Sequence, residues 1–479
     1  MLWKNEAVDI RGGHSFIEYY DFCTDYWKQA KICAILDNDR EKWGMNIREI
    51  IVVSPEYILD YDYDIILICS VYEEEIREQL IHKLGIDNEQ IETRRLFFEK
   101  FIFPWYKKRL EDKKILVVGE KFRFDAMHQA YCDFFKIIGF VSLDEIDLIS
   151  TYNYDYVLLT SYQGQKILEV IDEIVVRCGI EKECLLTHRV FSIFQNHIER
   201  YSNGERYADK KFLLIRNINY ISGLGSICDM VITNVSYARQ NGYIPIVDLK
   251  SCKSQYLEEE EYGTVNAWEK FFFQPDKYTL DDVKEAKNIL RVSNGVIWQS
   301  CKKQEMPWLP KMKNELEEKY KKYLREIEGK RLLGVLFRGT DYSQQAPYGL
   351  PVQPDLDTMI NMTRRKMDEW GEFDLIFLCT EVQQACERFE EEFGNKVIFY
   401  PQLRFDAEID VVRLALYSFH VQGERTKRGE DYWIALNILG FCNSIIAGRC
   451  CGTEMAMKIN CNCYENKYLF DLGRYGISE

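Results

Sequence analysis

The sequence predicts an α/β protein assembled from several small parallel sheets. Three observations carry this. Short, wholly apolar runs of strand length alternate with longer segments of helical period, the pattern of parallel sheets covered by helices. One segment of the first two hundred residues occurs twice. The alternation then restarts near Phe212 and continues to the C-terminal region.

The duplicated segment reads Tyr61-Asp62-Tyr63-Asp64-Ile65-Ile66-Leu67-Ile68-Cys69-Ser70 in one copy. The other reads Tyr152-Asn153-Tyr154-Asp155-Tyr156-Val157-Leu158-Leu159-Thr160-Ser161. Gly85-Ile86 then recurs as Gly179-Ile180, and Arg95-Leu96-Phe97 as Arg189-Val190-Phe191. Each copy is expected to be one structural unit. In the first, Cys33–Leu36, Ile51–Val53 and Ile65–Cys69 are expected strands, with a helix start at Ser54-Pro55-Glu56 and a helix over 73–84. Lys114–Gly119 opens the second.

In the rear half, strands are expected at Phe212–Arg216, Ile244–Asp248, Leu332–Phe337, Leu375–Cys379, Lys396–Tyr400 and Ser444–Ala447. Helices are expected over 227–241, 355–370, 381–393 and 429–442, and an amphipathic helix over 310–330 is expected to join two lobes. The divisions are 1–106 and 107–203 for the repeats, then 204–330 and 331–479. The four glutamates Glu258 to Glu261 read as a solvated loop. Trp268 is a candidate for a ligand groove, whereas Phe271 to Phe273 read as core.

Composition narrows the function. The net charge of −15 (62 basic, 77 acidic residues) gives no general attraction to a phosphate backbone, so nucleic acid is not an expected partner. The 16 cysteines are scattered in apolar settings, as buried free thiols are. With six histidines and no paired ligand spacing, no metal centre is expected. Neither a signal peptide nor a run of the ~20 apolar residues needed for a bilayer is seen, so a cytoplasmic protein, peripheral to the membrane at most, is expected.

Three places carry chemistry. The apolar strand from Leu332 ends in Arg338-Gly339-Thr340-Asp341. An arginine at the carboxyl end of a parallel strand can grip a diphosphate with a permanently charged fork. The turn Ser222-Gly223-Leu224-Gly225-Ser226 opens a helix, and a glycine turn there exposes N–H groups and the positive dipole end to an anion. The break Gly448-Arg449-Cys450-Cys451-Gly452-Thr453-Glu454 again precedes a helix, with helix capping by Thr453 as the alternative.

Gly334-Val335-Leu336-Phe337-Arg338-Gly339-Thr340-Asp341 resembles the first motif of the fucosyltransferase superfamily of GT-B fold. Leu378-Cys379-Thr380-Glu381 resembles its second motif, and Gly429-Glu430-Asp431 through Ala447 to Ala456 its third, in the same order. The resemblance spans roughly residues 210 to 475. It implies a pair of parallel α/β lobes and metal-independent, inverting transfer of a sugar from a nucleotide sugar, GDP-fucose first. No cofactor is needed beyond the donor, and the front modules described next point to a glycan or lipid-linked glycan of surface polysaccharide as the acceptor. Arg338 is expected in catalysis because the leaving diphosphate needs a fixed positive charge, and Asp341 is the candidate base, with Glu381 and Asp431 as rivals. Gly223, Gly225, Arg338, Thr380, Glu381, Asp431, Arg449, Cys450, Cys451 and Thr453 are assigned to donor binding. Two departures stand out. The family histidine that helps contact the base is Leu336, and its second arginine is Gly339. These motivate an alternative, a catalytically inactive nucleotide-sugar-binding or scaffold protein of a polysaccharide assembly complex.

The front copies resemble small Rossmann-like modules attached to bacterial polysaccharide enzymes. Their glycine turns, Ile10-Arg11-Gly12-Gly13-His14 and Gly119-Glu120-Lys121-Phe122-Arg123, lack the spacing that admits a pyrophosphate. Structural use, a protein partner or self-association is therefore expected of them, in preference to nucleotide binding.

Overall fold

A computed structural model describes residues 6–9, 26, 28, 30–47, 49–69, 73–160, 165–195, 197–217, 222–251, 253–293, 308–340, 350–406, 417 and 421–475. The protein is mixed α/β with parallel sheets, as the alternating pattern predicts.

The first sheet holds β1 (Glu6–Asp9), β2 (Ala34–Leu36), β3 (Asn46–Ile47), β4 (Ile50–Val53), β5 (Ile65–Ile68) and β6 (Ile91–Thr93), in the order β3-β4-β2-β1-β5-β6. The second holds β7 (Lys114–Gly119), β8 (Lys136–Ser142), β9 (Tyr156–Leu159) and β10 (Leu185–Thr187), in the order β10-β9-β7-β8. The duplication extends to strand pairing. β1 lies between β2 and β5 as β7 lies between β8 and β9, and β6 and β10 follow outside. Helix α1 (Phe103–Leu110) links the units, and its Phe103, Tyr106 and Leu110 join Ile35 and Leu67 to Ile115 and Leu158 in one core. The first glycine turn, 10–14, lies outside the described residues. In the second, Gly119 ends β7, and Glu120 caps α2 (Lys121–Phe134) without a side-chain hydrogen bond to the helix.

The third sheet has the order β11-β14-β12-β13, from β11 (Glu199–Tyr201), β12 (Phe212–Ile215), β13 (Ile244–Val247) and β14 (Ile289–Val292). Only β11 runs antiparallel. Helix α3 (Leu224–Gln240) follows β12, and starts at Leu224 rather than at the expected Ile227, so Gly225 lies inside its first turn. Trp268, the groove candidate, is buried in the core with its indole N–H donating to the Phe273 carbonyl at 3.1 Å. The glutamate run is not simply solvated. Glu261 accepts from Lys270 at 2.6 Å, and Glu258 pairs with Arg425 at 3.5 Å.

The fourth sheet is wholly parallel, in the order β17-β16-β15-β18-β19: β15 (Leu332–Phe337), β16 (Leu375–Thr380), β17 (Val397–Ile398), β18 (Ser444–Ala447) and β19 (Asn466–Leu469). All six β15 residues are buried, as the unbroken apolar run requires of a strand covered on both faces. Its helices are α4 (Asn314–Glu326), α5 (Leu356–Trp370), α6 (Gln383–Phe393), α7 (Glu424–Phe441) and α8 (Cys451–Ile459). The chain runs from β15 out to β16 and β17, then returns through α7 to β18 on the other flank of β15.

Helix α7 explains how the two rear sheets become one body. Its Trp433, Ile434, Leu436 and Leu439 share a core with Leu213 and Ile215 of one sheet and Leu336 and Phe377 of the other. Gly429 lets it approach Phe271, because a Cβ there would lie 2.5 Å from that ring. Gly334 does the same on β15, where a Cβ would meet Leu439 at 2.6 Å. Helix α4 adds Leu316 to this core and so packs as well as connects.

Candidate active site at the switch point of the rear sheet

Between β15 and β18 the strand order reverses, and ligands of open parallel sheets bind in the crevice beyond the carboxyl ends at such a point. Arg338 leaves the end of β15 there, its side chain 24% exposed. Its Nε lies 3.4 Å from Glu381 Oε1. The same carboxylate oxygen accepts from the Thr340 hydroxyl at 2.8 Å. Glu381 follows β16, so two adjacent strand ends fix one charged pair. Thr380 is buried, and its hydroxyl accepts from the Val382 N–H at 3.1 Å.

The two glycine turns, far apart in sequence, meet here. A Cβ built on Gly225 would lie 3.3 Å from the Tyr432 hydroxyl and 3.7 Å from the Cys451 carbonyl carbon. A Cβ on Gly452 would lie 2.8 Å from that hydroxyl, 3.4 Å from Leu336 Cδ1 and 3.6 Å from Cys450 Sγ. The N-termini of α3 and α8 therefore converge on Tyr432. The N-caps, Gly223 and Cys450, give their helices no side-chain hydrogen bond. Lys458 of α8 pairs with Asp229 of α3 and ties the two helices together. The Arg338 charge is felt at Tyr432 and Cys451, so two positive dipole ends and one guanidinium lie in one neighbourhood, an arrangement suited to an anion.

The first turn is held from behind. The Tyr256 hydroxyl accepts from the Leu224 N–H at 2.7 Å, and the Gln255 amide donates to the Ser222 carbonyl at 2.7 Å. Burial raises the phenols of Tyr256 and Tyr432 and the thiols of Cys379 and Cys451, Cys379 to about 12. In all four the Arg338 charge acts the other way, which marks the reach of its field.

The remaining sequence candidates divide. Thr453 is fully buried, the third residue of α8 rather than its cap, and its hydroxyl donates to the Gly448 carbonyl at 2.6 Å. Cys450 is half-buried with its sulfur 3.4 Å from that hydroxyl, and Cys451 is exposed beside Gly225. Arg449 is half exposed and pairs with Asp471 beyond β19 at 3.5 Å. Asp431 is buried on α7 and pairs with Lys427 at 2.5 Å. Burial raises its pKa and Lys427 opposes the shift. Its charged neighbours are Lys427, Glu430 and Lys319. Asp341 lies outside the described residues. Gln255, Tyr256 and Tyr432 escaped the sequence reading. Tyr432 follows the singled-out Asp431, but nothing in its pattern separates it from a core tyrosine.

The two motif departures have a packing reason. Leu336 is buried beneath Gly452. A Cβ on Gly339 would lie 2.5 Å from the Phe337 ring and 3.1 Å from Val382, so this backbone admits glycine and not arginine.

Residues 19–92 match the family described as C2185-like, N-terminal. No match is found among curated proteins. Among solved structures the chain is similar to NodZ α-1,6-fucosyltransferase soaked with GDP-fucose, at 16% identity and TM-score 0.36, over 52% of this chain and 93% of that one. It is similar to fucosyltransferase NodZ from Bradyrhizobium at 14% identity and TM-score 0.38, over 56% and 97%. It is also similar to POFUT1 in complex with GDP, at 10% identity and TM-score 0.27, over 77% and 99%. At such TM-scores these likenesses do not bear on function. Among the described residues no helix is long and apolar enough to cross a membrane.

Proposed function

We propose that this protein is a glycosyltransferase that moves a sugar from a nucleotide diphosphate sugar, GDP-fucose first, to a glycan acceptor in surface-polysaccharide synthesis, with inversion and without a metal. One observation carries the reading: Arg338 and the N-termini of α3 and α8 converge at the switch point of a parallel sheet. The motif order seen in the sequence supplies the choice of donor.

The chemistry follows from the charge. As the bond between the anomeric carbon and the phosphate oxygen breaks, its electron pair leaves with the diphosphate. Fixed donors aimed at that growing charge lower the barrier, by about 3–4 kcal/mol for one well-placed group. Arg338 stays protonated throughout and is held in place by Glu381. The acceptor oxygen bonds to the anomeric carbon from the opposite face, and its proton passes to a carboxylate. Asp341, directly after Thr340, is the proposed base, because Glu381 is already engaged by Arg338 and Thr340.

Calorimetry with GDP and UDP, followed by a donor-turnover assay with their sugars, tests this. Binding of neither nucleotide would overturn it. A second reading has its own observation: Leu336 and Gly339 are committed to packing at the two positions where the motif carries polar groups. On that reading the chain is an inactive scaffold that binds the nucleotide sugar at most and never turns it over.

A further inference from the structure

A separate cavity of about 910 Å³ lies where the front units meet the third sheet. This is within the roughly 300–1,000 Å³ of ligand sites. One wall is the carboxyl edge of that sheet. Arg216 directly follows β12, Ser293 directly follows β14, and Ser251 lies in the loop after β13. The opposite wall comes from the front units, with Phe103 and Lys107 of α1, Phe134 at the end of α2, and Lys136. Farther along the chain from Arg216, the same sheet edge delivers the glycine turn of the donor site.

The lining has a consistent chemistry. Phe134 is partly buried, its ring set against Phe191 and Phe194, and the buried Phe103 is stacked on His197 with 3.6 Å between ring centroids. The lining cations Lys107, Lys136 and Arg216 are equalled in number by Glu111, Asp112 and Asp133, and Arg291 pairs with Glu199. Arg216 donates to the Ser251 carbonyl at 3.5 Å. Apolar rings beside balanced donors and acceptors suit an uncharged ligand with hydroxyls at its rim and C–H faces to set on a ring. We propose that this cavity binds the acceptor, a neutral oligosaccharide, so that the front units complete the acceptor site; the inference rests on the transferase reading.

The full chain is applied to a printed array of neutral and acidic oligosaccharides, with GDP calorimetry in parallel. Two variants are compared, Phe134→Ala to remove the platform and Ser251→Trp to fill the space from an exposed position. Should Phe134→Ala fail to fold, Ser251→Trp still reports. Signal on neutral glycans that falls about tenfold or more in the variants, with GDP affinity unchanged, is the expected result. A blank array, signal on acidic glycans alone, or signal unchanged in Ser251→Trp would overturn the cavity assignment. GDP binding with a blank array sinks only the cavity. Glycan binding without GDP binding sinks the donor reading, and the acceptor role with it.

Discussion

Replacing Arg338 with alanine separates function from folding, because the two costs differ in size. Among the described residues the change removes the Nε–Oε1 approach of 3.4 Å to Glu381, between side chains 24% and 17% exposed. At 3.4 Å this approach is longer than a good hydrogen bond, and losing it costs about 1 kcal/mol. Glu381 keeps the Thr340 hydroxyl at 2.8 Å, so it is not stranded. The melting temperature should then move by roughly 2–4 °C at most. The ligand side loses far more. Removing one preorganised donor from a developing oxyanion costs about 3–4 kcal/mol, or 10²–10³ in turnover. Calorimetry with GDP and a donor-turnover assay measure the second effect, and a thermal scan the first. Arg338→Lys should retain part of the binding, since it keeps the charge and loses the fork. Nucleotide affinity and turnover that match the parent in Arg338→Ala would refute the site.

Gly452→Ala places a methyl group 2.8 Å from the Tyr432 hydroxyl, so nucleotide affinity should drop, and adding Tyr432→Phe should restore part of it; independent effects of the two changes, read by calorimetry, would count against a shared cradle. Gly339→Arg, which recreates the motif, should lower stability in a denaturant titration, because its Cβ would lie 2.5 Å from the buried Phe337 ring. Trp433→Ala should cost about 3–5 kcal/mol in urea and weaken both rear sheets together, since the buried Trp433 packs against Phe272 at 4.9 Å within their common core. Asp431→Asn has a pH signature. Burial raises the folded-state pKa of Asp431, so the stability tied to its protonated form is present below the unfolded pKa and lost as pH rises through the folded one. The asparagine variant should therefore gain melting temperature relative to the parent at neutral pH, and that gain should vanish in acid; a pH-independent difference would exclude the linkage.

Much of the architecture is legible in the sequence. Leu332–Phe337 is apolar at every position, and only a strand covered on both faces asks for that. The repeated apolar run is a strand in both copies, Ile65–Ile68 and Tyr156–Leu159, because the same unbroken apolar pattern asks for the same burial. Helix bounds were less legible. The α3 start at Leu224 was missed because Gly225 reads locally as a turn, while its actual constraint comes from Tyr432 and Cys451.

By itself, then, the sequence determined the apolar strands Ile65–Ile68, Phe212–Ile215, Leu332–Phe337 and Leu375–Thr380, and which strand end carries a permanent charge. These are properties of neighbours along the chain, set by apolar period and residue chemistry. Only the tertiary structure decided that the Gly223–Gly225 turn meets the Cys450–Gly452 turn over Tyr432. It alone sent Arg449 outward to Asp471 and gave Glu381 to Arg338. Those outcomes follow from how α7 packs between two sheets, and packing of that kind couples residues whose separation in sequence carries no trace of it.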